Sequence, residues 1–577
     1  MESQTPPTAS FDHLREHSIG LPEALFQSIT HMAPAAAVAF SLLVSVSFAG
    51  QALPLAVLFA AIACALVASS IGQLAKQMPS AGGLYTYVST SLGPHAGFLT
   101  GWSFMFFAPL VAPLLFLIFA WATEDVVKNE IGWDIGWAWW VIAAALIVFV
   151  LTYRDVRLST RAGIVLGAIE IAIFAGLSIW MLISNFDQLN LQAFNPSNVN
   201  PSASSDFSGV FKGMVFGILA FIGFEAAAPL GEEARHPRWT IPRAVIGAAV
   251  LIGLFYVFCS YAWVYGAGFN DFLNQTDTTV NPDPWRALGK VFWHTGWILI
   301  FIAILNSAIA NANAGVNAAT RVVYAMARNG AAPRQLARTH PEHKTPQLAI
   351  VLNVWGGAVL ALLLGWKWSP LVAFSLIATA ITIVVIVIYI LVCLGTIVYY
   401  LRERRSEFNP VLHLIFPILG ALAFMAPLYY TYKDRSPNPV GYANWIALVW
   451  LGIGILLTIW MAMRRPQALE NAKRIFVEDE TVAAPAPPGQ TPRPPPHRSW
   501  SAAIRSSGRS ARTSSPCSRS SRARSCASRR TTASRARSRA KRTSSPGSTS
   551  SGSTARPARS RSPGPSRATR SSSSSSR

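Results

Sequence analysis

Charged side chains are scarce in this sequence. Asp, Glu, Lys and Arg make up 13% of its 577 residues against 52% hydrophobic, a balance that excludes a single soluble globule. Cysteine is scarcer still: Cys64, Cys259 and Cys393 each sit alone in apolar runs, and Cys517 and Cys526 fall in a low-complexity tail, so neither a disulfide framework nor a Cys-based metal site is expected. No Gly-x-x-x-x-Gly-Lys loop occurs, which argues against an ATP-driven machine. No His-Glu-x-x-His or nucleophile motif stands in an apolar run, where His31 and His294 are isolated, so no enzyme is expected, and no cofactor. A repeated filter or ring of charges, the mark of a channel, is also missing. The N-terminus is polar through Arg15 and lacks the pattern of a cleavable leader, so the first long apolar segment is expected to remain as a membrane span.

The net charge of +22 belongs to the tail. Of 48 Lys and Arg, 21 follow Glu480, where no acid occurs, which leaves 27 basic against 26 acidic side chains before it. The body of the chain is nearly neutral.

What is abundant is apolar length. A hydrocarbon core about 30 Å thick takes roughly 20 apolar helical residues to cross. Twelve segments meet or approach that measure: 24–48, 53–75, 97–121, 137–152, 162–184, 209–231, 243–267, 291–320, 347–365, 371–400, 410–430 and 442–463. None alternates with the period of two of a barrel strand, so an all-α integral membrane fold of twelve transmembrane helices is expected. Trp133, Trp137, Trp139, Trp140, Trp293, Trp297, Trp366 and Trp368 gather at the predicted ends, as an interfacial belt requires. Alternate connections are rich in Lys and Arg, among them Arg154, Arg157 and Arg161, then Arg235, Arg238 and Arg243, then Arg328, Arg334, Arg338 and Lys344, then Arg402, Arg404 and Arg405. By the positive-inside rule both termini are expected on the cytoplasmic side of the cell membrane.

Several places inside the spans break the rules of a lipid-facing helix. Pro34 falls in HMAPAAAVAF (31–40), where Ala33, Ala35 and Ala36 offer no bulk and the proline removes a backbone donor. FIGFEAAAP (221–229) sets Gly223 beside Glu225 and ends in Pro229. Discontinuous helices in corresponding positions of two halves point to a secondary transporter's binding site, and spans one and six are five apart, matching a five-plus-five inverted repeat followed by two extra C-terminal helices. Glu225 reads two ways, as a group serving substrate or proton, or as a hydrogen-bonding tie between helices. Glu170, near the middle of span five, is likewise open between ion coupling and a bond to a neighbouring helix. In span eight, most of Asn306, Asn311, Asn313 and Asn317 share one broad helical face, which lines a cavity or bonds a packed neighbour. Ser307 and Thr320 on the same span offer oxygens for a sodium ion, although a proton is the favoured coupling ion.

MPSAGGLYTYVSTSLGPHAGFLTGW (78–102) resembles the Pro-x-Ala-Gly-Gly-x-Tyr-x-Tyr segment of the amino acid–polyamine–organocation permeases, with its following Leu-Gly and Gly-Phe-Leu-x-Gly-Trp. Gly223-Phe224-Glu225, Glu232, Glu233, Pro237 and Ile241-Pro242-Arg243-Ala244 resemble that family's sixth-span signature, and Asn317, Arg321, Tyr324 to Arg328, Gly330, Pro333 and Thr345-Pro346 its stretch after span eight. The resemblance covers residues 20–465. It implies substrate contacts at Ala33, Pro34, Ala35 and Ala36, which replace the family's Gly-small-Gly segment, and at Gly223. The family's aromatic gate falls on Leu219 here, which passes that duty to Phe221 or Phe224. Gly82 and Gly83 would allow a turn and close helix contact, with Tyr85 and Tyr87 at the membrane interface.

The implied organisation is an N-terminal segment (1–22), a ten-helix core (23–401), two further helices (402–464) and a tail (465–577). Within the tail APAPPGQTPRPPP (484–496) is a Pro-rich linker, and residues 498–577, dominated by Ser, Arg, Ala, Thr, Pro and Gly, are expected to be disordered. The tail reads as a basic arm on anionic lipid, or as a GC-rich gene translated out of frame. A nucleic-acid role is disfavoured, since no aromatic follows Trp500. The expected activity is secondary transport of an amino acid or related amine by alternating access, as symport or exchange. A membrane-embedded sensor with the same fold is the alternative.

Overall fold

The computed structural model describes residues 19–464 apart from 81, 155–159, 203–204, 329–333 and 338–345. The N-terminal residues 1–18, Ala81, Arg157, Arg338, Lys344 and the whole tail lie outside the described residues. Among those described every regular element is helical, with one isolated parallel bridge between Ile19 and Ala234. Helices satisfy their own backbone polar groups, the condition for crossing lipid.

The first helices are α1 (Leu21–His31), α2 (Pro34–Ala36), α3 (Leu42–Ala49) and α4 (Leu53–Gln77), followed by α5 (Gly83–Leu92) and α6 (Pro94–Val126). Next come α7 (Trp137–Tyr153), α8 (Thr160–Ser184), α9 (Asp206–Phe221), a 3-10 segment at Phe224–Gly231 and α10 (Pro237–Gly266). The rest are α11 (Phe272–Gln275), α12 (Pro284–Trp293), α13 (Trp297–Arg328), α14 (Gln347–Trp368), α15 (Pro370–Arg402), α16 (Phe416–Lys433) and α17 (Tyr442–Arg464). Among the described residues ten helical stretches are long and apolar enough to cross a membrane. One of them, Leu21–Gln77, contains both of the first two expected spans, which part at Gly50, and α7 is apolar but only 17 residues long. Gly50 has φ +53°, and a Cβ there would lie 2.6 Å from the Asn200 nitrogen.

Besides the four-residue α11, two helices lie wholly or largely outside the expected spans. The turn expected at Gly82 and Gly83 opens α5, whose Gly83 has φ +51° and would press a Cβ to 3.1 Å from Pro229 Cγ. Tyr87 lies fully buried on this helix, which packs between α6 and α15. Helix α12, in the connection before span eight, carries a cluster of charges. Arg286 pairs with both Asp125 and Glu130 near the end of α6, and Lys290 pairs with Glu130. Asp283 caps α12 by accepting from the Arg286 backbone N–H at 3.0 Å.

In lipid the helices gain little from apolar burial against one another, so close backbone approach through small residues does the packing. α4 meets α10 this way, with Gly253 against Ala61 and Gly72 against Ile246, and α13 meets α6 at Gly315 against Val111. The outer faces of α7, α8, α14 and α17 carry exposed Leu146, Val165, Leu363 and Leu456. Helix α17 is hung on α6 by a reciprocal indole pair. Trp102 Nε1 donates to the Trp450 carbonyl at 2.9 Å, Trp450 Nε1 donates to the Trp102 carbonyl at 3.1 Å, and the rings stack 4.4 Å apart.

Candidate functional site

The first break follows from Pro34, which has no N–H to continue the helical ladder. Helix α1 stops at His31, Ala33 takes the left-handed conformation (φ 47°, ψ 65°), and Pro34 starts α2. Left-handed backbone is unfavourable for alanine, so this is a strained position held by its surroundings. The second break follows from Gly223. Helix α9 ends at Phe221, Ile222 turns extended, and Gly223 at φ +119° opens the 3-10 segment.

The two breaks touch. A Cβ on Gly223 would lie 2.7 Å from the His31 carbonyl carbon and 2.8 Å from its oxygen. Ser28 Oγ accepts from the Ala227 N–H at 3.1 Å, tying α1 to the second break. The Tyr256 hydroxyl from α10 reaches the Met32 carbonyl at 3.1 Å and the Ala220 carbonyl at 3.0 Å, one on each broken helix. Both are carbonyls freed where a helix stops. A hydroxyl has one proton, so the two acceptors compete for it.

Glu225 sits behind the break rather than in front of it. Its Oε2 accepts from the Gly223 N–H and from the Tyr389 hydroxyl, both at 3.0 Å, in a buried setting. Phe224 packs on Tyr389 and Phe221 lies edge-on to Tyr256. Ala33, Ala36 and Leu219 line a central cavity, together with Val111, Ile118 and Phe374, while Pro34 and Ala35 are buried within the first break. The cavity measures about 40 Å³.

Glu170 is buried at the contact of α8 with α13. Asn306 Nδ2 donates to its Oε2 at 3.4 Å, with the buried Ser307 hydroxyl beside it and Tyr256 within electrostatic reach. Asn313 accepts from the Thr152 hydroxyl at 3.0 Å. Thr320 returns its hydroxyl to its own helix, at 2.8 Å from the Val316 carbonyl. At 100° per residue Asn306, Asn313 and Asn317 fall on one face and Asn311 well away from it. Asn311 is the one of the four that lines the central cavity.

Sequence reasoning passed over Tyr256, Tyr389, Ser28 and the cavity position of His31. The available signal was His31 standing three residues before Pro34, since a polar ring directly before a helix break is placed at whatever the break encloses.

A bundle of membrane-length helices, two of them interrupted around a shared cavity, is the construction of a membrane transporter. The family model for amino acid permeases matches residues 23–472, and the chain belongs to that family. It is 27% identical over 416 residues to the low-affinity putrescine importer PlaP of Escherichia coli K12, covering 70% of this chain and 84% of that protein. It is 24% identical over 409 residues to the branched-chain amino acid permease BcaP of Lactococcus lactis, covering 67% and 83%. It is 26% identical over 295 residues to the serine/threonine exchanger SteT of Bacillus subtilis, covering 49% and 62%.

Proposed function

We propose that this protein is a secondary active transporter that carries an amino acid or related amine across the cell membrane by alternating access. The observation that carries the reading is the pair of helix breaks facing one cavity and joined by the Tyr256 hydroxyl. Movement of either half-helix changes the cavity and the tether together, which is what coupling of substrate to conformation needs. The names of the relatives, importer, permease and exchanger, support transport over sensing.

In this reading the 57-residue stretch counts as two spans and α7 as another, giving twelve, arranged as a five-plus-five inverted repeat with α16 and α17 added and both termini cytoplasmic. The coupling ion is a proton and no cofactor takes part. Glu170 carries the proton, because an acid held by Asn306 avoids a charge at membrane depth while protonated and ionises when water reaches it. A sodium ion held by the same carboxylate with Ser307 and Thr320 is the competing proposal.

Purified full-length protein in proteoliposomes tests both. Accumulation of a labelled amino acid driven by an imposed pH gradient without sodium is expected. Binding without any flux would return the sensor reading, and a strict sodium requirement would return the other ion.

A further inference from the structure

A groove of about 440 Å³ runs along the outside of the bundle, where α4 and α10 lie side by side. Its floor is made of small residues, Ala61 and Ala65 from α4 and Ala249 and Gly253 from α10, which let the two helices approach and leave a trench over the contact. Ile62 and Leu254 stand at its edges, 50% and 66% exposed, so the trench opens toward lipid.

One end is closed. The connection between α8 and α9 folds down over it, pinned where the Tyr261 hydroxyl donates to the Asn190 carbonyl at 2.9 Å, the Ala52 N–H to the Asn198 carbonyl at 2.9 Å and the Asn200 N–H to the Phe48 carbonyl at 3.2 Å. These bonds fasten the connection to α10 and to the turn between α3 and α4. They set Leu191 and Phe194 across the trench, with the Phe194 ring stacked 5.8 Å from that of Tyr261.

Dimensions narrow the occupant. From Ala249 to Tyr261 the groove runs about 18 Å at 1.5 Å per residue, close to the depth of one leaflet, half of a hydrocarbon core about 30 Å thick. A transmembrane helix has to cross both leaflets, and the roof stops it. A helix about 10 Å wide would also displace roughly 1,400 Å³ over that length, about three times the space present. A lipid acyl chain is one leaflet long and carries no backbone polar groups. Left empty, the trench would forfeit dispersion contacts along its whole lining.

Charge narrows the headgroup. No Lys or Arg lines the groove, and residues 185–205 of the roofing connection contain none, while Asp187 lies among them. The Asn190 side chain is already engaged, its Oδ1 by the Gln192 N–H and its Nδ2 by the Gln188 carbonyl. The closed end therefore offers no cation to a phosphate.

We infer that this groove is a fixed binding site for one acyl chain of a membrane phospholipid, held by its hydrocarbon and without need of an anionic headgroup. The inference is independent of what the central cavity carries.

The test uses purified full-length protein in nanodiscs that contain a phospholipid with a photoactivatable diazirine midway along one acyl chain. Two probes differ only in headgroup, phosphoethanolamine or phosphoglycerol, and the cross-linked peptides are mapped by mass spectrometry. Labelling of residues 58–65 and 249–258 is expected to exceed that of the outer face of α14, around Leu352 and Leu363, by about ten-fold, because only the groove surrounds the chain with contacts. The phosphoethanolamine probe should label the groove at least as strongly as the other. Ala65→Trp fills the trench and is expected to cut groove labelling by about ten-fold with the melting temperature kept, whereas Leu363→Trp leaves it unchanged. If Ala65→Trp does not fold, the wild-type ratio of groove to α14 decides. Groove labelling no stronger than that of α14, whether from lipid exchanging freely over the surface or from another helix covering the site, would overturn the inference. So would stronger labelling by the phosphoglycerol probe, or unchanged labelling in folded Ala65→Trp.

Discussion

Tyr256 concentrates the problem at the scale of a single residue. One hydroxyl proton faces two carbonyls, Met32 and Ala220, that lie 224 and 36 residues away in sequence. Tyr256→Phe is expected to cost about 1 kcal/mol of stability, the usual net worth of one hydrogen bond. Counterflow exchange should slow more than that loss suggests, because the link between the broken helices is gone. Glu170→Gln keeps the shape and the bond to Asn306 but cannot ionise. It is expected to abolish accumulation driven by a pH gradient while exchange of substrate persists, and accumulation at the wild-type level would return Glu170 to a structural tie. Pro34 and Gly223 were legible from sequence because each alters the backbone by its own covalent nature. Tyr256, Tyr389 and Ser28 were not, since each is an ordinary residue within an apolar run whose role arises only when distant helices meet.

The elements with unusual local chemistry behave differently from the long apolar ones. Gly223 makes the second break, and any side chain there meets the His31 backbone at a φ that L residues rarely adopt. Gly223→Val is therefore expected to reduce the yield of folded protein, read by size-exclusion chromatography in detergent, as well as substrate affinity. Helix α12 invites a pH experiment. Burial, with Oδ2 lacking a partner, pushes the Asp283 carboxyl up to about 6 from its ordinary 3.8. The folded chain then keeps this proton to higher pH than the unfolded chain, so the contribution of Asp283 to stability falls as pH rises between about 4 and 6 and levels off above. Relative to Asp283→Asn, the wild-type melting temperature should decline across that window. Helices α5 and α12 escaped the sequence reading for a shared reason. At ten residues each they are too short for a span, and the glycines opening α5 read as a plain turn.

For the molecule as a whole, apolar length sufficed to place the long helices, and among the described residues ten helical stretches are long and apolar enough to cross a membrane. Which helices face one another was not legible, since nearly every residue in them is apolar on all sides. Full-length protein and a version ending at Glu480 are expected to insert and transport equally, checked by membrane fractionation and uptake, because the described bundle is closed by contacts among residues 19–464. Loss of transport with insertion intact would assign the tail a function. The reciprocal indoles of Trp102 and Trp450 have an optical consequence. Two rings stacked 4.4 Å apart couple their electronic transitions, so the pair should add an exciton couplet to the circular dichroism of the folded protein. Trp450→Phe would erase it. The chain thus carries its own spectroscopic gauge of whether the last helix is docked, readable on purified protein without a label.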